Sequence, residues 1–439
     1  MRGMRRSFVP VVLALAACDD EPGPRPITEV EARARRLRCE FKAGSRIAET
    51  VHTGALTGSQ IPVDHIVLVM QENRSFDHYF SQLSHGGVRV AAAGLTNPDA
   101  SGQPVARYHE TRLCVHDLPH NWNASHRQYN GGENDGFVAD PGGRRAMGYY
   151  TEAELPFYYG LARAFAMSDM HFASLLGGTW PNHMFYTGGT SWGVITNRVA
   201  PFAPDGLNYP TIFTRMNDAG VAWKIYAEQA PTLALFLNQL ANNQDKVHPL
   251  GDYFTDAAAG TLPSVSLVEA TYTGGDAVRN DEHAPGNVQL GQKWSEGVIK
   301  AFMASPAWRR GVLIFTYDEH GGFHDSVPPP AACAPDDFAP RMEDSDEPGV
   351  FDRLGFRVPL IVISPFAKRG YVSHQVTDLT SILRFVEARF DLPALSARDA
   401  NAEPISDLFD FQNPNYDVPA LPEAILDAAQ HADCVSEFP

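Results

Sequence analysis

Apolar and polar positions fall into short alternating blocks along the 439 residues. Ile66-Val67-Leu68-Val69-Met70 is an unbroken apolar run, rich in β-branched side chains, that stops at the polar residues 71–75. Such a run predicts a strand buried on both faces of a mostly parallel sheet. Residues just past its carboxyl end then face the crevice where open α/β sheets bind ligands. Residues 312–317 and 358–364 repeat this character, and 221–226 and 264–268 read as shorter strands. Helical spacing recurs at Leu155, Tyr159, Ala162 and Phe165, predicting a helix over 155–167. Further helices are predicted over 212–219 (ended by Gly220), 287–303 and 379–389, the last with Ile382, Phe385 and Val386 on one face. Strands alternating with helices mean an α/β three-layer sandwich around a mostly parallel central sheet. Residues 88–103 and the acidic 335–349 read as loops. No internal repeat emerges.

The start of the chain changes the picture of where this domain works. Arg2, Arg5 and Arg6 precede an apolar stretch over 8–17 that is too short to span a bilayer. It ends in Leu15-Ala16-Ala17-Cys18, which resembles the bacterial lipoprotein box; a plain secretory signal cut nearby is the alternative. Residues 1–17 are therefore expected to be a signal peptide, with Cys18 lipidated as the first mature residue. Asp19 after it favours the periplasmic face of the inner membrane. Residues 18–60 read as a tether ending in a docked segment at Cys39, and 61–430 as the catalytic domain. The formal charge of -17 argues against nucleic acid as a partner. It says little about a small anion, because a bound metal reverses the local field. Cys39, Cys114, Cys333 and Cys434 suggest two disulfides in an exported chain, with three pairings open.

Four polar constellations fall where this scheme puts loops on one edge of the sheet. In the first, Glu72 offers a hard oxygen ligand for a cation and Asn73 an amide for an anion. The second, Gly177-Gly178-Thr179-Trp180-Pro181-Asn182-His183, combines glycines that let the backbone turn with a proline favoured in a first helical turn. A helix start gathers free N–H groups for a phosphate-like anion. The Thr179 hydroxyl is then a helix cap, or a nucleophile if a metal lowers its pKa. The third is Asp318-Glu319 followed by Gly321-Gly322, adjacent carboxylates at a strand end with glycines that allow both to reach one divalent cation. The fourth comprises His120 and His283, each able to bind an anionic oxygen or give a proton to a leaving group.

Together these motifs resemble one family. Residues 65–80, from His65-Ile66-Val67 to His78-Tyr79-Phe80, are similar to the opening motif of the bacterial phosphoesterases that include non-haemolytic phospholipases C and related acid phosphatases. Gly178-Thr179-Trp180-Pro181-Asn182 resembles its nucleophile turn. Thr316-Tyr317-Asp318-Glu319-His320-Gly321-Gly322-Phe323, with Val327-Pro328-Pro329, resembles its acidic motif. Arg357-Val358-Pro359 and Asp378-Leu379-Thr380 resemble its closing motifs.

The resemblance implies a fold like that of alkaline phosphatase. It also implies one divalent metal on Glu72, Thr179, Asp318 and Glu319, with Thr179 as nucleophile and a phosphothreonine intermediate. Asn73, His120, Asn182 and His283 would surround the phosphoryl group. A phosphate mono- or diester, including a phospholipid, is the implied substrate. Two departures stand out. The chain ends soon after Phe411 without the long extension of the phospholipases, which weakens a choline-lipid assignment, and His183 stands where arginine is common. Sulfate-ester hydrolysis is disfavoured because Thr179 cannot become formylglycine. An inactive membrane-tethered binding protein is disfavoured by the intact acidic, Thr and His positions.

Overall fold

A computed structural model describes residues 25–198, 207–272, 275 and 279–438, so the signal and lipidation residues lie outside the described part. Its centre is an eight-stranded sheet. In chain order the strands are β1 (His65–Gln71), β2 (Ala166–Ser168), β3 (Trp223–Tyr226), β4 (Val247–His248), β5 (Val265–Glu269), β6 (Gly311–Tyr317), β7 (Leu360–Ile363) and β8 (Val372–Ser373). Across the sheet they run β8-β2-β7-β6-β1-β5-β3-β4. All pairings are parallel except those of β7, which runs against both β6 and β2. β1 and β6, the two longest runs, lie side by side and are buried almost throughout. Continuous apolarity follows from that position, since helices cover both faces.

Alternation along the strands assigns the two helical layers. Leu68 and Leu267 face α1 (Thr179–Gly188), α2 (Ile212–Asp218) and α3 (Leu379–Phe390), which share a dry apolar space with them. Phe315, paired with Val69, faces the other way and meets Tyr158 of the helix Pro156–Ala164. On that side Tyr226 meets Tyr253 of Leu250–Ala259, whose hydroxyl donates to Val298 of the long helix Val288–Ala304.

Three expectations change. The helix predicted to reach Met167 stops at Ala164, because residues 166–168 pair as β2 with β7 and β8. Residues 88–103 are not all loop, since Thr96–Pro98 pairs with Pro104–Ala106. From Arg25 the stretch read as a tether is built into the fold. Glu29–Leu37 is a helix capped by the Thr28 hydroxyl, and buried Arg36 donates to Thr50 O and Glu403. The cysteines pair Cys39 with Cys333 and Cys114 with Cys434.

Candidate active site

Three neighbouring parallel strands, β6, β1 and β5, bring their carboxyl ends to one place. Gln71 and Tyr317, the last residues of β1 and β6, are register partners, so Glu72 and Asp318 emerge at the same level. The Asp318 N–H donates to Gln71 O at 3.0 Å and the Glu72 N–H to Asp281 O at 2.8 Å, tying in the loop that follows β5. Asn73 turns back through φ 66°, and its N–H donates to Asp318 Oδ1 at 2.7 Å. Gly321 is required here: at φ +64°, a Cβ would lie 2.1 Å from the Asn73 carbonyl oxygen.

Thr179 is the first residue of α1, with Gly178 as its N-cap. The Asn73 Nδ2 amide links it to the acidic loops, lying 3.4 Å from Thr179 Oγ1, 3.3 Å from Glu72 Oε2 and 3.4 Å from Asp318 Oδ2. Burial, with repulsion from Asp281 and Glu319 at Glu72 and from Glu72 and Glu319 at Asp318, pushes both carboxyls well above the ordinary range. Burial also acts on Glu319, but the neighbouring His120 and His320 and the Gly321 N–H outweigh it and hold its carboxyl low. Glu72 Oε1, Glu319 Oε1 and His183 Nε2 are buried without a hydrogen-bond partner among the described residues. Buried acceptors left open among repelling carboxylates form a donor set that could hold a divalent cation.

Ligand atoms of Glu72, His183 and Asp318 lie within 4.8 Å of one another. Glu319 sits to one side, with Oε2 taken by the Gly321 N–H at 2.7 Å and Oε1 3.7 Å from His120 Nε2. His120 and His283 face each other edge to face at 5.4 Å, and with Asp117 they form a second convergence of donor atoms. Burial lowers His283 to about 3; it opposes protonation of His120 too, but Glu319 and Asp117 raise that group. The cavity above Glu72 and Thr179 measures about 370 Å³ and is walled by Trp180, Tyr272, Arg279 and His283.

Asn182 is brought to the turn yet its amide is consumed there. Nδ2 donates to Gly177 O and Gly178 O, while Oδ1 accepts from the Ser174 and Leu175 N–H groups. That fills its capacity, so it shapes the turn. The residue sequence reasoning undervalued is His183. Its signal was its spacing, four residues after Thr179 on one helix, which puts both on the same face.

The closing motif residues hold these loops together without facing the cavity. Buried Arg357 pairs with Asp77 at 3.0 Å and Asp325 at 2.7 Å, joining the segment after β1 to the one after β6. Ser174 donates to Asp378 Oδ2 at 2.7 Å, fixing the approach to α1.

A profile of the Phosphoesterase family matches residues 63–393. Phospholipase C A of Mycobacterium tuberculosis (strain CDC 1551 / Oshkosh) is 32% identical over 452 positions, which cover 87% of this chain and 84% of that protein. Non-hemolytic phospholipase C of Burkholderia pseudomallei (strain K96243) is 31% identical over 466 positions, covering 86% of this chain and 63% of the relative. Among solved structures, a protein in the alkaline phosphatase superfamily from Vibrio parahaemolyticus matches with a TM-score of 0.37 and 13% identity, over 72% of this chain and 74% of that one. The chain belongs to the Phosphoesterase family and is a hydrolase of phosphoric ester bonds.

Proposed function

We propose that the chain cleaves its ester by transferring the phosphoryl group to Thr179, with one divalent cation held among Glu72, Asp318, Glu319 and Thr179. The observation that carries this reading is the Thr179 hydroxyl at a helix start, linked through Asn73 to two buried carboxylates. A cation bound there would stabilise the threonine oxygen and neutralise charge on the phosphoryl oxygens. Thr179 gives its hydroxyl proton to solvent as Oγ1 attacks phosphorus and the bond to the leaving alcohol breaks. His120 holds its Nδ1–H on Leu118 O at 2.6 Å, which leaves Nε2 beside Glu319 to give the leaving oxygen its proton. Water then attacks phosphorus and returns a proton to His120, Thr179 leaves and takes a proton from solvent, and phosphate or a phosphomonoester departs. His283, kept neutral by burial and lining the cavity, accepts a hydrogen bond from the incoming water.

The relatives named phospholipase C make a phospholipid diester the first substrate to try, with phosphomonoesters beside it. Two disulfides accord with an exported chain, and we place it on the periplasmic face through a lipid on Cys18. Thr179→Val keeps the shape and removes the oxygen. Turnover of phosphatidylcholine and of p-nitrophenyl phosphate should fall by at least roughly four orders of magnitude, near 5 kcal/mol. Thr179→Ser should keep appreciable activity, and vanadate should bond to the Thr179 oxygen in a crystal. A near-native rate in the valine variant would mean that Thr179 is only structural and that water attacks directly.

A further inference from the structure

His183 is fully buried, and its two ring nitrogens meet very different surroundings. Nδ1 lies 3.0 Å from Thr232 Oγ1. Thr232 in turn is bound to Glu269, the last residue of β5: its N–H reaches the two carboxylate oxygens at 3.1 and 3.0 Å. A hydroxyl has one proton to give. With Glu269 ionised and the Thr232 hydroxyl proton turned toward it, Thr232 Oγ1 accepts from His183 Nδ1–H, and the other nitrogen carries a bare lone pair.

That lone pair faces Glu72 Oε1 at 3.5 Å, and neither atom has a hydrogen-bond partner among the described residues. With Glu72 ionised the two are facing acceptors, which repel in a buried site unless a positive group lies between them. Asp318 completes the group, with ligand atoms of all three residues within 4.8 Å. His183 lies on the same face of α1 as Thr179, one turn further in, so the helix aims both at the same point.

We propose that His183 Nε2 is a nitrogen ligand of the site cation, and that Thr232 and Glu269 hold its ring in the metal-binding tautomer. The inference rests on the cation placed in the proposed function and narrows its chemistry. Carboxylates and a hydroxyl alone suit magnesium, calcium or manganese, whereas one imidazole shifts preference toward zinc, cobalt or iron. A second residue that orients a ligating histidine commonly changes metal affinity by about 10–100-fold.

The test uses the full chain stripped of metal and titrated with Zn²⁺ or Mg²⁺ against a chromophoric chelator, with the Co²⁺ form followed by its visible absorption. His183→Ala should lose at least about a hundredfold in Zn²⁺ affinity while Mg²⁺ affinity changes little, and its Co²⁺ spectrum should lose the contribution of a nitrogen donor. Added imidazole should restore part of that spectrum. Thr232→Val, which keeps the packing, should weaken Zn²⁺ by about tenfold or more and carries the test if the alanine variant misfolds. Unchanged Zn²⁺ affinity and an unchanged Co²⁺ spectrum in both variants would overturn the inference. Asp318→Ala separates the two ideas: metal lost there but retained in the His183 and Thr232 variants removes only the nitrogen ligand, whereas metal retained in Asp318→Ala removes the proposed cation site itself.

Discussion

Glu282 stands between the candidate His283 and Asp281, with its side chain turned into the protein. Its carboxyl receives the hydroxyls of Tyr79, Tyr158 and Tyr317, its backbone adopts φ 70°, and Arg74 holds its carbonyl. Burial pushes this carboxyl up to about 7 despite those donors. The unfolded chain releases the same proton near 4.5, so between about 4.5 and 7 the folded state binds more protons than the unfolded one. Stability therefore falls as pH rises through that window, and the contribution is fullest below it. The total is about 3 kcal/mol. Glu282→Gln should flatten this slope, read as denaturant midpoints at pH 4.5 and 8 for both proteins; parallel pH dependences would show that Glu282 does not titrate there. At this scale the legible residues were those that interrupt an apolar run, namely Glu72, Asp318 and Glu319. Glu282 and Glu269 were not legible, because the groups that define them, such as Tyr79, Tyr158 and Thr232, come from distant segments. Asn182 was legible as part of the turn, but not that the turn itself consumes its amide.

Among elements, the central strands were readable because each is apolar without interruption and bounded by polar or glycine residues. The direction of β7 was not, since residues 358–364 look like 312–317 and nothing in their composition distinguishes antiparallel from parallel pairing. The short β2 escaped for a related reason: Ala166–Ser168 continues an apolar helical pattern, and only pairing with β7 and β8 makes it a strand. What does follow from sequence is the pair of glycines after β6. Gly322 at φ +76° would set a Cβ 2.7 Å from Pro119 O, and Gly321 would set one against Asn73. Both close approaches hold one loop of the candidate site beside another. Gly321→Ala should push Asn73 and Glu72 away from Asp318 and lower turnover by about 10²-fold, as expected for misplacement near 1 Å. Metal content should fall with it, while the circular dichroism stays that of the folded protein. Full turnover in this variant would mean that the two loops have slack the packing does not suggest.

Across the whole molecule, the two disulfides bind the chain's ends to the body that carries the site. Cys39–Cys333 spans 294 residues and secures the N-terminal segment beside helix Glu29–Leu37; Cys114–Cys434 spans 320 and secures the helix Ala428–Glu437. Cysteine count and an export-type N-terminus made two bridges legible, but their pairing depends on where both ends fold. Closing loops this long removes unfolded-chain entropy worth about 5 kcal/mol for each bridge. Opening either, by Cys39→Ser with Cys333→Ser or by Cys114→Ser with Cys434→Ser, should therefore lower the denaturant midpoint to a similar extent. Their effects on catalysis should differ. Cys114 begins the segment that carries Asp117 and His120, and Leu113 O accepts the Val288 N–H at the start of the long helix. Releasing Cys114 frees the base of the loop that aims His120 at Glu319, whereas the Cys39–Cys333 bridge reaches the site only at one remove, through Cys333 O, Arg398 and Ser174 O. Under conditions where both variants are folded, turnover should drop several-fold in the Cys114/Cys434 pair and stay near native in the Cys39/Cys333 pair. Equal losses would mean that the loop bearing His120 is held by its own packing on Gln128 and Leu118, and that both bridges act on stability alone.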